Sequence, residues 1–188
     1  MKHSPSHRCF LLGSAAVLTA VLVVAGCQNA SHPDEKSAVT TALNNNNMSS
    51  ISVAQDRDKG VMTLKGDVAT QDAKDQAETL AKQSAPDYKI ANELGVRPVG
   101  AESQAGAVSS NLDTAIEHNF KAILKSHKNL DDQSITYSAK NGTLVLKGTV
   151  KTAKQKKEAE SLAKHVPNVQ QVVNEIEVKP GKHSPATS

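Results

Sequence analysis

The feature that most constrains this chain is an internal repeat with a spacing of 82 residues. When the 188-residue sequence is shifted by 82 positions without a gap, a dense set of residues after Gly60 falls on identical residues after Gly142. Matching positions in the first copy include Gly60, Leu64, Lys65, Gly66, Val68, Thr70, Ala77, Glu78, Leu80, Ala81, Lys82, Asn92, Glu93, Val96 and Pro98. Self-similarity of this kind predicts one fold used twice. Because the matches are mainly apolar, glycine and turn residues, they indicate shared packing more than shared catalysis.

Each copy is predicted to be a small α+β unit with the order αββαβ. In the second copy, apolar residues at helical spacing from Ile116 to Leu124 predict a first helix, and Asn141-Gly142 is typical of a hairpin turn. Thr152 with Gln155 fits a capping box at the start of a second helix. The connection through that helix is long enough for a right-handed parallel crossover. We therefore expect a three-stranded mixed sheet with both helices on one face.

The same patterns divide the chain into segments. Gly66 and Gly148 interrupt equivalent strands, which favours a bulge or a close approach to the packed helix over a glycine that admits a ligand. A stretch rich in small and polar residues without periodicity is typical of a linker. The predicted segments are a signal peptide at 1–26, a flexible tether at 27–33, a first domain at 34–98, a linker at 99–110, a second domain at 111–180 and a disordered tail at 181–188.

The beginning of the chain has the features of an export signal. Basic residues at Lys2 and Arg8 precede the apolar run from Phe10 to Val24, which is short for a membrane span. The sequence Val24-Ala25-Gly26-Cys27 resembles a bacterial lipobox, the site at which signal peptidase cuts before a diacylated cysteine. The alternatives are an ordinary secretory signal and an uncleaved anchor. Gln28 after the cysteine implies, by the same resemblance, an outer-membrane lipoprotein anchored through Cys27 and facing the periplasm.

The two halves of the exported chain differ in charge. Residues 28–108 contain 8 Lys or Arg and 11 Asp or Glu, whereas residues 109–188 contain 12 Lys and 8 acids. One face of the last helix carries Lys154, Lys157 and Lys164, and Lys151 and Lys156 lie beside it. Positive charge near a helix N-terminus costs about 0.3 to 1 kcal/mol per residue, so a function is worth suspecting. These five lysines would suit an anionic phospholipid headgroup; the alternative is a merely solvated face.

Two motifs of the repeat resemble those of the BON domain. These are Leu146-Lys147-Gly148-Thr149-Val150 and Val173-Asn174-Glu175-Ile176, which have counterparts in the first copy. Two such copies behind a lipobox resemble the dual-BON lipoproteins of bacterial outer membranes. The resemblance implies a non-enzymatic protein that binds phospholipid membranes and supports envelope integrity. A different hypothesis is a protein-interaction or chaperone-like module that docks on envelope proteins through its sheet faces or its acidic first domain.

Other chemistries lack support in the sequence. No histidine falls at a metal-ligand spacing, and no phosphate-binding glycine loop or nucleophile elbow is present. Nucleic-acid binding is disfavoured because two Tyr, two Phe and no Trp leave few side chains for base stacking. We therefore expect no enzyme activity, no cofactor, no metal and no nucleic-acid partner.

Overall fold

A computed structural model describes residues 31–179 of the chain as two αββαβ domains in sequence. The predicted signal peptide, Cys27 and the whole of the predicted tail at 181–188 lie outside the described residues. Elements of the first domain are α1 (Lys36–Asn45), β1 (Ser52–Asp56), β2 (Val61–Lys65), β3 (Asp67–Val68), α2 (Gln71–Ser84), β4 (Lys89–Asn92) and β5 (Gly95–Val96). Those of the second domain are α3 (Glu102–Ser126), α4 (Lys128–Asp131), β6 (Ser134–Lys140), β7 (Thr143–Val150), α5 (Ala153–Lys164), β8 (Gln171–Asn174) and β9 (Glu177–Val178).

The predicted α+β fold with mixed sheets is confirmed in both domains. β1 pairs antiparallel with β2, which pairs parallel with β4; β6, β7 and β8 repeat this arrangement. The short strands β3 and β5 pair with each other as a separate two-stranded sheet, whereas β9 pairs with the end of β7 and extends the sheet of the second domain. Both helices of a domain cover the same sheet face, because apolar residues from α1 and α2, or from α3 and α5, share one core with that face.

The helix starts and turns follow the local sequence. The Thr70 hydroxyl accepts a hydrogen bond from the backbone N–H of Ala73, and Thr152 forms the predicted capping box with Gln155. Asn141 and Gly142 both have positive φ, as a tight hairpin turn requires.

Gly148 shows why equivalent strands contain glycine. Its φ is +110°, and a Cβ atom there would collide with the backbone carbonyl of Ser134. The close approach is therefore to the neighbouring strand β6, and the prediction of an approach to the packed helix is wrong. Gly66 also has a positive φ, +127°, and faces the backbone carbonyl of Ser50.

The prediction of an irregular linker at 99–110 is wrong from residue 102 onward, because α3 begins at Glu102 and is 25 residues long. Its first half is rich in small and polar residues, with only a short apolar stripe of Ala105, Val108 and Leu112, but it contacts both domains. The Ser109 hydroxyl donates to Asn141 Oδ1, and the Asp113 carboxylate accepts from the backbone N–H groups of Asn141 and Gly142. These tertiary contacts extend the helix through a segment whose own pattern does not specify one.

The predicted flexible tether is also shorter than expected. The backbone N–H of His32 donates to the Arg57 carbonyl, and the Pro33 carbonyl accepts from the side chains of Gln55 and Tyr88. Residues 32 and 33 therefore belong to the surface of the first domain.

The two domains pack through the sheet faces that point away from their helices. Val61 and Ala91 of the first sheet form a buried cluster with Val145 and Val173 of the second. Polar contacts surround this cluster: the Lys89 ammonium donates to the Asn174 carbonyl at 3.3 Å, and the Thr143 hydroxyl donates to the Asn92 carbonyl. The Lys59 ammonium lies 3.1 Å from the Glu175 carboxylate. That hydrogen bond raises the pKa of Lys59 above its ordinary value.

Candidate functional site

The lysine face of the second domain is carried by α5. Ala159 and Ala163 are fully buried on the side of α5 that faces the sheet, which turns the opposite side toward solvent. The capping box fixes the start of the helix at Thr152. The positions predicted to bind phospholipid are thus set by the buried alanine stripe and by the cap.

Four of the five predicted lysines are exposed. Lys154 and Lys157 have no carboxylate within 4 Å in the part of the chain that the structure describes. Lys164 is 2.7 Å from the Glu160 carboxylate, and Lys151 is 3.8 Å from Asp132. Exposed pairs of this kind contribute about 0 to 1 kcal/mol, so they can open at small cost when another anion approaches.

Lys156 does not share the environment of the other four lysines. It is partly buried, and its nearest charged neighbours include Lys89 of the first domain. Burial lowers the pKa of Lys156, and the Lys89 ammonium lowers it further. The exposed lysine face therefore comprises Lys151, Lys154, Lys157 and Lys164, while Lys156 lies toward the domain junction.

The first domain provides a natural comparison for this face. Lys82 and Glu78 of α2 form the same ion pair, at 2.6 Å, as Lys164 and Glu160 of α5. The two helices differ one turn earlier, where Asp72 and Asp75 occupy the places of Lys154 and Lys157. Aspartates at a helix start are favourable and lysines are unfavourable. Of the two helices, only α5 concentrates exposed positive charge there.

The polar residues that the repeat preserves have a structural role. The buried side chain of Asn92 donates to the Lys74 carbonyl at 3.0 Å and to the Glu78 carboxylate at 3.1 Å, and it accepts from the backbone N–H of Leu94. Asn174 makes the equivalent three hydrogen bonds in the second domain. Each asparagine joins the end of a strand to the helix that covers it. The sequence signal for this role is that both copies of the repeat have asparagine at this position.

Lys74 was not among the residues predicted to form a site, and the structure buries it at the domain junction. Its only signal was identity with Lys156 across the repeat. Lys74 lies in a helical segment that is rich in Gln and Asp, which predicts an exposed side chain. Only the packing of the second domain against α2 buries it.

Residues 31–179 do not include a group of three or more His, Cys, Asp and Glu side chains that could hold a metal ion. His165 is exposed, and its Nδ1 lies 2.6 Å from the Ser161 carbonyl, as expected for a helix-end residue. Within the same described range, no helix is both long enough and apolar enough to cross a bilayer.

Comparison with known proteins places both domains in one family. Residues 35–98 and 112–180 each match the BON domain. The chain is 28% identical over 137 residues to osmotically-inducible protein Y of Escherichia coli strain K12, covering 73% of this chain and 67% of that protein. CdsD, a structural protein of the type III secretion system of Chlamydia trachomatis, aligns over 80% of this chain and 94% of its own with 11% identity and a TM-score of 0.34. The match to both repeats shows that this chain belongs to the BON domain family.

Proposed function

We propose that this protein is a non-enzymatic lipoprotein of the bacterial envelope whose second domain binds anionic phospholipid through the lysine face of α5. The observation that carries the proposal is the position of Lys154 and Lys157. Both are exposed near the start of a helix, where positive charge is unfavourable, and neither has a carboxylate partner among the described residues. Membership of the BON family supports the envelope location.

The energetics of such a surface suit a tethered protein. Each lysine near an anionic bilayer contributes about 1 kcal/mol, so four exposed lysines supply about 4 kcal/mol before any ordering cost. That attraction alone gives weak binding. A diacylated Cys27, outside the described residues, would confine the domain close to lipid and raise its effective concentration there. The anchor would hold the protein on the periplasmic side of the outer membrane.

The competing proposal is a protein-interaction module that docks on envelope proteins. Packing of the two sheets against each other buries Val61, Ala91, Val145 and Val173, which removes this part of the sheet faces from a partner. One observation still favours a protein partner: β6 lies at the end of its sheet order and pairs only with β7 among the described strands. An edge strand of seven residues can accept a strand from another chain, although the Glu117 carboxylate already accepts a hydrogen bond from the backbone N–H of Ala139 on β6.

Liposome flotation of a piece from Gln28 to Ser188 tests the lipid proposal. This piece retains every residue of both described cores, which lie between Val39 and Ile176. We expect binding to vesicles containing phosphatidylglycerol or cardiolipin and little binding to phosphatidylcholine vesicles. Binding should weaken at high salt, because screening reduces contacts between exposed charges.

Two variants that lose the same number of positive charges show which surface binds the anionic vesicles. Replacing Lys154, Lys157 and Lys164 with Gln should abolish flotation. Replacing Lys36, Lys65 and Lys82 with Gln should leave flotation intact; these lysines are exposed in the first domain, and Lys82 has the same ion pair as Lys164. Equal loss in both variants would indicate a non-specific charge effect. Indifference to lipid charge would refute the lysine face and favour the protein-interaction proposal.

The anchor is tested separately by membrane fractionation of the full-length protein. We expect Cys27→Ala to move the protein from the membrane fraction to the soluble periplasmic fraction. A Cys27→Ala protein that remains in the membrane would instead indicate an uncleaved signal.

A further inference from the structure

A cavity of about 400 Å³ lies at the junction of the two domains. Its apolar wall is formed by Leu94 and Val96 from the first domain and by Ala105, Val108 and Leu112 from the first half of α3. Val108 is 58% exposed and Leu112 is 40% exposed, so both lie at its rim. The volume falls in the range of about 300 to 1,000 Å³ that is usual for small-molecule sites.

The polar end of the cavity contains Lys74. This side chain is 5% exposed, and its ammonium donates to the Asn141 carbonyl at 2.8 Å and approaches Gln170 Oε1 at 3.5 Å. No carboxylate lies within 4 Å of it in the part of the chain that the structure describes. An ammonium has three N–H donors, and these contacts use two of them.

The nearest acidic groups are engaged elsewhere. The Asp113 carboxylate accepts from two backbone N–H groups of the Asn141 turn, Glu78 pairs with Lys82, and Asp75 accepts from the Gln71 amide. Burial lowers the pKa of Lys74 in spite of these three more distant carboxylates. A buried charge without a close partner is costly, so an anion that reached this ammonium would be stabilised.

We propose that the cavity binds a small single-chain carboxylate, with the carboxylate paired to Lys74 and the chain lying against Leu94, Val96 and Ala105. The cation and the apolar wall lie in one cavity, and that combination fits an amphiphile better than an inorganic anion or a neutral hydrocarbon. Arg97 also lines the cavity, so its charged lining consists of two cations and Asp113. This site is separate from the lysine face of α5 and involves both domains.

The experiment is a titration of the Gln28 to Ser188 piece, labelled with ¹⁵N, with sodium octanoate and with octanol as the uncharged probe. Amide shifts report where each probe binds, and both are used below the concentrations at which they form micelles. We expect saturable shifts from octanoate in α2, β5 and the first half of α3. Octanol should bind at least about tenfold more weakly, because a charge-assisted hydrogen bond contributes more than a neutral one.

Three variants test the role of the cavity. Lys74→Met removes the charge while keeping most of the length of the side chain, and it should weaken octanoate binding about tenfold without weakening octanol binding. Ala105→Phe should fill the cavity and block both probes. Lys125→Met removes the same charge from an exposed position at the far end of α3 and should bind octanoate like the unchanged protein.

Thermal unfolding of each variant first establishes that it is folded. The proposal is overturned if octanoate and octanol bind equally well, if Lys74→Met retains full octanoate affinity, or if the shifts centre on the lysines of α5. Because the flotation variants leave the cavity intact, failure of the lipid proposal and failure of this one are distinguishable.

Discussion

Replacing Asn92 with alanine should destabilise the protein although it removes only a few atoms. Asn92 is 1% exposed, and its amide nitrogen donates to the Lys74 carbonyl and the Glu78 carboxylate. Its oxygen accepts from the backbone N–H of Leu94. Alanine removes all three hydrogen bonds and leaves the Leu94 N–H and the Lys74 carbonyl without this partner inside the domain.

The expected loss follows from these contacts. A neutral hydrogen bond contributes about 0.5 to 1.5 kcal/mol net, and a bond to a charged group contributes about 1.5 to 3 kcal/mol. Two neutral bonds and one bond to Glu78 together amount to about 3 kcal/mol or more. That is a large fraction of the roughly 5 to 15 kcal/mol that stabilises an ordinary domain.

The measurement is the free energy of unfolding in urea, followed by circular dichroism, for the Gln28 to Ser188 piece. Asn174→Ala should cost a similar amount, because Asn174 makes the equivalent three bonds. Asn111→Ala is the matched control at an exposed position of α3 and should not lower the stability, because alanine favours a helix more than asparagine does. If Asn92→Ala and Asn174→Ala each cost less than about 1 kcal/mol, the buried asparagines would not be the links between strand and helix that their contacts indicate.

Three further predictions follow from single positions. Val173→Asp places a charge in the cluster between the two sheets, where Val173 is 3% exposed, and should separate the domains. We then expect ¹⁵N relaxation to give a different rotational correlation time for each domain. A single correlation time for both domains would contradict the interface. Gly106→Ala, inside α3 with room for a Cβ, should raise the free energy of unfolding by about 0.5 to 1 kcal/mol, and no gain would argue against a continuous α3. Because the pKa of Lys74 is lowered in the folded state, the unfolded chain binds more protons between that pKa and the ordinary value of 10.5, so stability rises with pH in this window. Lys74→Met should lose this rise when urea unfolding is compared between pH 7 and pH 10.5, and an unchanged rise would show that other groups cause it.

Much of each domain could be predicted from local sequence. The 82-residue repeat is visible by direct comparison of the two halves of the sequence. The helix caps at Thr70 and Thr152 and the Asn141-Gly142 turn depend on neighbouring residues only, so the local sequence predicts them. The lysine face was predictable for the same reason. Helical spacing alone separates Lys154 and Lys157 from the apolar stripe that contains Ala159 and Ala163.

The predictions for the linker and the tether were wrong because contacts with distant residues outweigh the local sequence pattern there. The first half of α3 has only a short apolar stripe among small and polar residues, yet a hydrogen bond from Ser109 to Asn141 accompanies its helical form. His32 and Pro33 look like tether in the sequence but bond to the first domain. A local pattern cannot report such contacts, because the hydrogen-bonded partner residues lie 22 or more positions away.

The sequence by itself determined the repeated αββαβ unit, since periodicity, caps and turns specify each element through neighbouring residues. It also determined which side of α5 would carry positive charge. Only the tertiary structure decided how the two units meet. The outer sheet faces display Val61, Ala91, Val145 and Val173 among polar residues, and a half-apolar face can be solvated or covered. Covering it buries apolar area and gives the strand-end carbonyls partners in the other domain. That same packing encloses Lys74 and creates the cavity at the junction.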